Sequence, residues 1–294
     1  MTRYEPAIAL EGIRAIDTHV HVQFDSEGRR ALPDDLLDAM DAYFGHAPRP
    51  LGVDELAEYY RERSMAAVVF TVDARTAMGV IPNSSAEIAA GAARNADVLI
   101  PFGSVDPHTG AEGIDLARRL FHDHGVRGFK FHPSVQAFDP SDEKYYPLWQ
   151  AIQEMGVPVV IHTGQTGVGA GLPGGYGIKL RYSSPMLIDD VAADFPGLTI
   201  ILAHPSVPWQ DEALSMAAHK ANVFIDLSGW SPKYFSAALV RQAGSILQDK
   251  MLFGSDYPAL TPDRWLEDFA RLEIRDAARP KILRDNAVRV LGLS

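Results

Sequence analysis

Apolar positions along this chain fall in short, nearly continuous runs. Eight can be marked: Ala15–His21, Ala66–Asp73, Val98–Asp106, Val126–Pro133, Val157–Gly164, Leu198–Ser206, Val223–Trp230 and Lys250–Pro258. Their length and β-branched content suit strands of a parallel sheet covered on both faces, where neither side meets water. Helical spacing separates them. In "SDEKYYPLWQAIQEMG" Ser141 is placed to cap a helix, Glu143 sits in its first turn and Gly156 follows its end. "TGAEGIDLARRLFHDHG" has the same form, starting at Thr109 and stopping at Gly125. Eight strands alternating with helices, with no linker or break in composition, predict an α/β fold. The expectation is one (β/α)8 TIM barrel with extended βα loops, occupying residues 1–294 as a single domain. An open doubly wound sheet would more often carry a Gly-rich phosphate loop after its first strand, where this chain has "THVHVQFD".

A barrel gathers its chemistry at the C-terminal ends of its strands, so the last residues of each run matter most. These are His19 and His21, Asp73, Asp106, Lys130 and His132, His162, His204, Asp226 and Asp256. In "AIDTHVHV" the period-2 alternation of a strand sends both imidazoles to one face, and Asp17 shares their parity. Asp17 is then either a hydrogen-bonding partner behind the histidines or a buried structural acid. The remaining histidines, His46, His108, His122, His124 and His219, fall in loops or helices.

Composition narrows what such a cluster can do. The chain has no cysteine, which excludes disulfides, thiol nucleophiles and thiolate metal sites; any metal must be held by imidazole and carboxylate. His19, His21, His162 and Asp256 come from strands one, five and eight, and closure makes strands one and eight neighbours. Three neutral imidazoles and one carboxylate suit Zn²⁺ best, with Mn²⁺, Fe²⁺ or Co²⁺ as alternatives. A formal net charge of -11 argues against nucleic acid or an anionic membrane as partner. The first residues lack the apolar core of a signal peptide and no apolar run is long enough to span a bilayer, so a soluble cytoplasmic protein is expected, with oligomeric state left open.

"DTHVH", "GFKFHP", "VVIHTG", "ILAHPS" and "MLFGSDYP", at strands one, four, five, six and eight, resemble the motifs of the amidohydrolase superfamily. Within it they resemble the amidohydrolase-2 branch, which includes aminocarboxymuconate-semialdehyde decarboxylase, resorcylate-type decarboxylases and C–C or lactone hydrolases. "HTGQTGVGAG", "HPSVPWQDEA" and "DLSGWSPKYF" resemble, more narrowly, the 4-hydroxyphenyl-β-ketoacyl-CoA hydrolases. The resemblance implies the same four metal ligands and places His204 beside the metal as an acid/base. Many members of the superfamily carboxylate a lysine on the fourth strand to bridge two metals. For Lys130 the preferred expectation is a cation facing a substrate oxygen, with His132 on the same strand face.

The expected substrate is a small aromatic, anionic molecule. Trp209 and Trp230 supply aromatic walls, and the long segment Gln23–Pro50 adds Phe24, Tyr43 and Phe44. The Gly-rich stretch Gly164–Pro185 after strand five matches no phosphate-binding fingerprint and is expected to act as a mobile lid, carrying Lys179 and Arg181 toward an anionic substrate. The favoured reaction is hydrolysis: water activated by the metal attacks a carbonyl, Asp256 accepts the proton, and His204 and Lys130 stabilise the oxyanion. Cleavage of the C–C bond of an aromatic β-ketoacyl thioester is one form of it. The alternative is non-oxidative decarboxylation of an aromatic or unsaturated acid, and a non-catalytic metal-binding barrel ranks behind both.

Overall fold

The computed structural model describes residues 2–45 and 50–293. Its strands are β1 (Ala15–His21), β2 (Met65–Phe70), β3 (Leu99–Pro101), β4 (Phe129–Phe131), β5 (Val159–His162), β6 (Ile200–Ala203), β7 (Val223–Asp226) and β8 (Met251–Leu252). Parallel ladders join β1 through β3 and β4 through β8. Two bridges close the seams: Gly103 pairs with Phe129, and Val20 with Tyr257. Backbone hydrogen bonds from Thr18 N to Phe253 O and from His21 N to Tyr257 O (each 2.9 Å) tie the last strand to the first. The fold is the predicted barrel.

The near-continuous apolar runs follow from burial on both faces. Val159 and Ile161, Ile200 and Leu202, and Val223 and Ile225 pack outward against the helices. Val160, Ile201, Ala203 and Phe224 fill the barrel interior. Continuing that alternation puts Lys130, His162 and Asp226 on the inner face near the strand ends.

The first strand departs from plain alternation. Its register against β2 shifts between Asp17 and Val20. Ile16 belongs to the interior, whereas Ala15 and Val20 lie in the outer layer. Without the bulge, Thr18 and Val20 would inherit the inward parity of Ile16 and both histidines would face the helices. Asp17 is therefore not on the histidine face. Its carboxylate accepts from Tyr60 in the outer layer (2.7 Å), from Ser255 N (2.9 Å) and from His19 N (3.1 Å), which makes it a buried acid that stabilises the bulge.

Strands after the first are shorter than their apolar runs, and in β7 and β8 nearly all of the excess lies at the C-terminal end. His204 and Asp256 have φ of 72° and 71°, in the left-handed region, so the chain turns there instead of extending. The predicted helices are present with small shifts at their starts. Asp142, not Ser141, caps the turn Glu143–Tyr145 that leads into the helix Tyr146–Met155, and Gly156 ends it in the left-handed conformation. The helix Ala111–Arg119 runs on through a π-turn to Gly125. Among the described residues, no helix is long and apolar enough to cross a membrane.

Gly128 marks the tightest packing beneath the β3–β4 seam, since a methyl group there would strike the Phe102 ring and the Pro158 carbonyl. Gly128→Ala is expected to destabilise the barrel by about 1–3 kcal/mol through overpacking, read as a lowered urea midpoint with unchanged m-value. An unchanged midpoint would show that the seam relaxes freely.

Candidate metal centre and substrate cavity

The β1 bulge and the β8–β1 seam bring His19, His21 and Asp256 together. Asp256 N donates to His19 O (2.9 Å), which holds the turn after β8 against the first strand. The Nε2 atoms of His19 and His21 then lie 3.4 and 3.3 Å from Asp256 Oδ1. Phe70 meets both imidazoles edge-on, with ring centroids 5.0 and 4.9 Å away, and fixes their tilt.

Behind this group stands Asp226. It is fully buried, and its Oδ2 accepts from His19 Nδ1 (2.7 Å). That bond selects the tautomer in which the Nε2 lone pair faces Asp256, as a carboxylate behind a metal-binding histidine does. Ser228 N donates to Asp226 (2.8 Å), and Ser228 Oγ lies 2.9 Å from His204 Nδ1. His204 Nε2 and His162 Nδ1 are 3.0 Å apart. This chain is satisfied when His162 donates to His204 and His204 to Ser228, leaving the buried Nε2 of His162 without a partner. Gly229 completes the corner: its φ is +72°, and a Cβ there would come within 2.6 Å of His204 Nδ1.

The electrostatics favour the neutral form of His19, His132, His162 and His204. Burial, with help from Lys130, pushes His19 down to about 3, and burial drives His162 and His132 well below the usual histidine range. His204 is lowered by burial too. Burial alone would raise Asp256 and Asp226, but the neighbouring histidines, His19 foremost, outweigh it and hold both carboxyls well below the normal range. Lys130 is wholly buried, and its Nζ lies 3.1 Å from His19 Nε2. Burial lowers it to about 8, so the ammonium still predominates at neutral pH.

These donors fit a divalent cation. Imidazole nitrogens of His19 and His21 converge on the ionised Asp256 carboxylate, while His162 stands outside that grouping with its buried Nε2 unpartnered. A second grouping, His19 with His204 and Asp226, is sealed from the cavity at Asp226. His21, His162 and Asp256, by contrast, line the cavity. The Lys130 ammonium faces the same His19 lone pair that a cation would take, so a cation held there would compete with it.

The cavity has a volume of about 870 Å³, and Lys130, His132, His204 and Trp230 are also in its wall. His132 stacks on His162 at 3.7 Å, and its Nε2 lies 3.3 Å from Thr166 Oγ1 in the loop after β5. Several sequence candidates lie elsewhere. Lys179 and Arg181 are exposed and outside the lining, and Arg181 packs over Tyr182. Trp209 begins the helix Gln210–His219 and does not line the cavity. Tyr43 does line it, Phe24 does not, and both the Phe44 side chain and His46 fall outside the described residues. Asp73 pairs with Arg75 at 2.6 Å, and Asp106 caps the turn at His108. Two residues enter that sequence reasoning did not single out. Arg30 lines the cavity from the long β1 loop with nothing local to mark it, and Asp226 was visible only as one more polar strand end.

A (β/α)8 barrel with a buried imidazole–carboxylate cluster at the C-terminal mouth of its strands is the architecture of a metal-dependent enzyme. The family model for Amidohydrolase matches residues 16–293, and the chain belongs to that family. An uncharacterised TIM-barrel protein from Bordetella bronchiseptica is 26% identical, with a TM-score of 0.77 over 95% of this chain and 98% of that one. 2,6-Dihydroxybenzoate decarboxylase, solved with 2,6-dihydroxybenzoate, is 17% identical, with a TM-score of 0.68 over 96% and 100%. 5-Carboxyvanillate decarboxylase from Novosphingobium aromaticivorans, solved with manganese and 4-hydroxy-3-methoxy-5-nitrobenzoic acid, is 15% identical, with a TM-score of 0.69 over the whole of both chains. No curated protein sequence matches.

Proposed function

We propose that this enzyme is a metal-dependent carboxy-lyase that removes CO₂, without oxidation, from a hydroxylated aromatic or unsaturated acid. The observation that carries this reading is the buried imidazole–carboxylate cluster at the floor of a cavity walled mainly by apolar side chains. Support comes from structural neighbours that decarboxylate hydroxybenzoates and carboxyvanillate. The hydrolytic alternative, on a β-ketoacyl thioester, called for Lys179 and Arg181 as anchors of a large anion, and both point to solvent.

His19, His21, His162 and Asp256 would hold the cation, which would supply positive charge to bind and orient the substrate's oxygens. Asp226 fixes the His19 tautomer from behind. The Lys130 ammonium offsets the negative charge of the incoming acid, and Trp230 and His132 border the ring. His204, linked to Ser228 and His162, carries the proton. The ring carbon takes that proton, the bond to the carboxyl carbon breaks with its electron pair returning to the ring, and CO₂ departs. Burial lowers the His204 pKa, and the charge of an anionic substrate acts against that shift.

The test is incubation of the manganese-loaded protein with 2-hydroxy- and 2,6-dihydroxybenzoates in D₂O. The expected result is CO₂ release with one deuterium at the carbon that bore the carboxylate. Inert hydroxybenzoates, together with ¹⁸O from water entering the carboxylate cleaved from a 4-hydroxyphenyl-β-ketoacyl thioester, would replace this reading with the hydrolytic one.

A further inference from the structure

The cavity is unequal in character. Its floor holds the imidazoles, Lys130 and Asp256, while one side wall is aliphatic. Leu32 from the β1 loop, Val72 after β2, Val135 after β4, and Val168 and Ile178 in the β5 loop all line it. The same five belong to a small apolar cluster separate from both layers of the barrel core. Four different loops thus converge to present side chains with no polar atom to the cavity. At about 870 Å³ the space lies near the upper end of the roughly 300–1,000 Å³ usual for small-molecule sites. A single-ring acid seated on the floor would leave this wall facing water.

We propose that the natural substrate bears an extended apolar substituent, an unbranched alkyl or acyl chain of several carbons, which lies against Leu32, Val72, Val135, Val168 and Ile178 while its acid end meets the metal-binding cluster. The assignment rests on the acid-binding role of the floor proposed above. It narrows the substrate from hydroxylated acids in general to amphipathic ones. The wall reads length through burial of methylene groups, each of which tightens binding by about three- to fourfold when wholly removed from water.

Titration calorimetry of the manganese-loaded protein with 2-hydroxybenzoates carrying unbranched alkyl chains of increasing length, placed para to the carboxylate in one series and meta in another, tests this directly. Dissociation constants should fall by about three- to fourfold per carbon over the first few carbons in at least one series. Leu32→Ser and Ile178→Ser, both at half-buried loop positions, should each flatten that dependence. Affinity that stays flat or weakens with length in both series overturns the inference, even where the unsubstituted acid is decarboxylated and the proposed function stands. A slope that the two serine variants leave intact overturns it as well, because the chain then lies elsewhere. Tightening with length and loss of slope in the variants, without CO₂ from any member, upholds the amphipathic ligand and removes the decarboxylase reading. Absence of binding by every member overturns both.

Discussion

Replacing His19 and His21 together by alanine should reduce bound metal from one equivalent to near none and abolish turnover, while leaving the barrel folded. The two imidazoles contribute half of the four proposed ligands, and their Nε2 atoms share one carboxylate oxygen of Asp256. Loss of His19 also strips the fully buried Asp226 of its imidazole donor, leaving only Ser228 N, at a stability cost of about 1–3 kcal/mol. His21→Ala alone therefore belongs beside the double variant, since the His21 side chain is 26% exposed and leaves no buried ion stranded. Asp226→Asn keeps every proposed ligand and should weaken metal affinity by about 10–100-fold through the His19 tautomer. Metal analysis by plasma emission and far-UV circular dichroism read the outcome. Full metal occupancy in the double variant would sink the ligand assignment, and two metals per chain would point to a modified Lys130.

His204→Asn should retain the metal and lose turnover by about 10²–10⁴-fold, the usual contribution of a general acid. Asparagine is the informative replacement because position 204 has a φ of 72°, and asparagine tolerates the left-handed region better than most residues. Its amide can still reach Ser228, so the backbone corner and the His162 side chain should stay in place. What it lacks is a titrating nitrogen. A near-normal rate would reduce His204 to a spacer between Ser228 and His162, whereas loss of metal would make it a ligand.

Much of the site was legible because a barrel converts position along a strand into position in space. His162, His204 and Asp256 are far apart in the chain, yet each ends an apolar run. Residues whose direction depends on a loop were harder to place. Lys179 and Arg181 lie in the Gly-rich stretch and looked suited to an anion, but that stretch presents Val168 and Ile178 to the cavity and turns its two basic residues outward. Glycines permit many paths, so composition did not select the one taken.

The sequence by itself determined the eightfold alternation of strand and helix. Apolar runs, helix stops at Gly125 and Gly156, and the Thr261 cap before Pro262–Ala270 are local signals that operate within a few residues. It also determined the chemistry available, since a chain without cysteine can offer only imidazole and carboxylate to a borderline metal. Only the tertiary structure decided which face each donor took. The β1 bulge exists because that strand pairs with β2 on one side and with the turn after β8 on the other, and a one-residue shift there reverses every later side chain. The pairing of Asp226 with His19 and the aliphatic wall built from four loops are likewise contacts across the barrel. No local pattern encodes them, because the partners become neighbours only when the barrel closes.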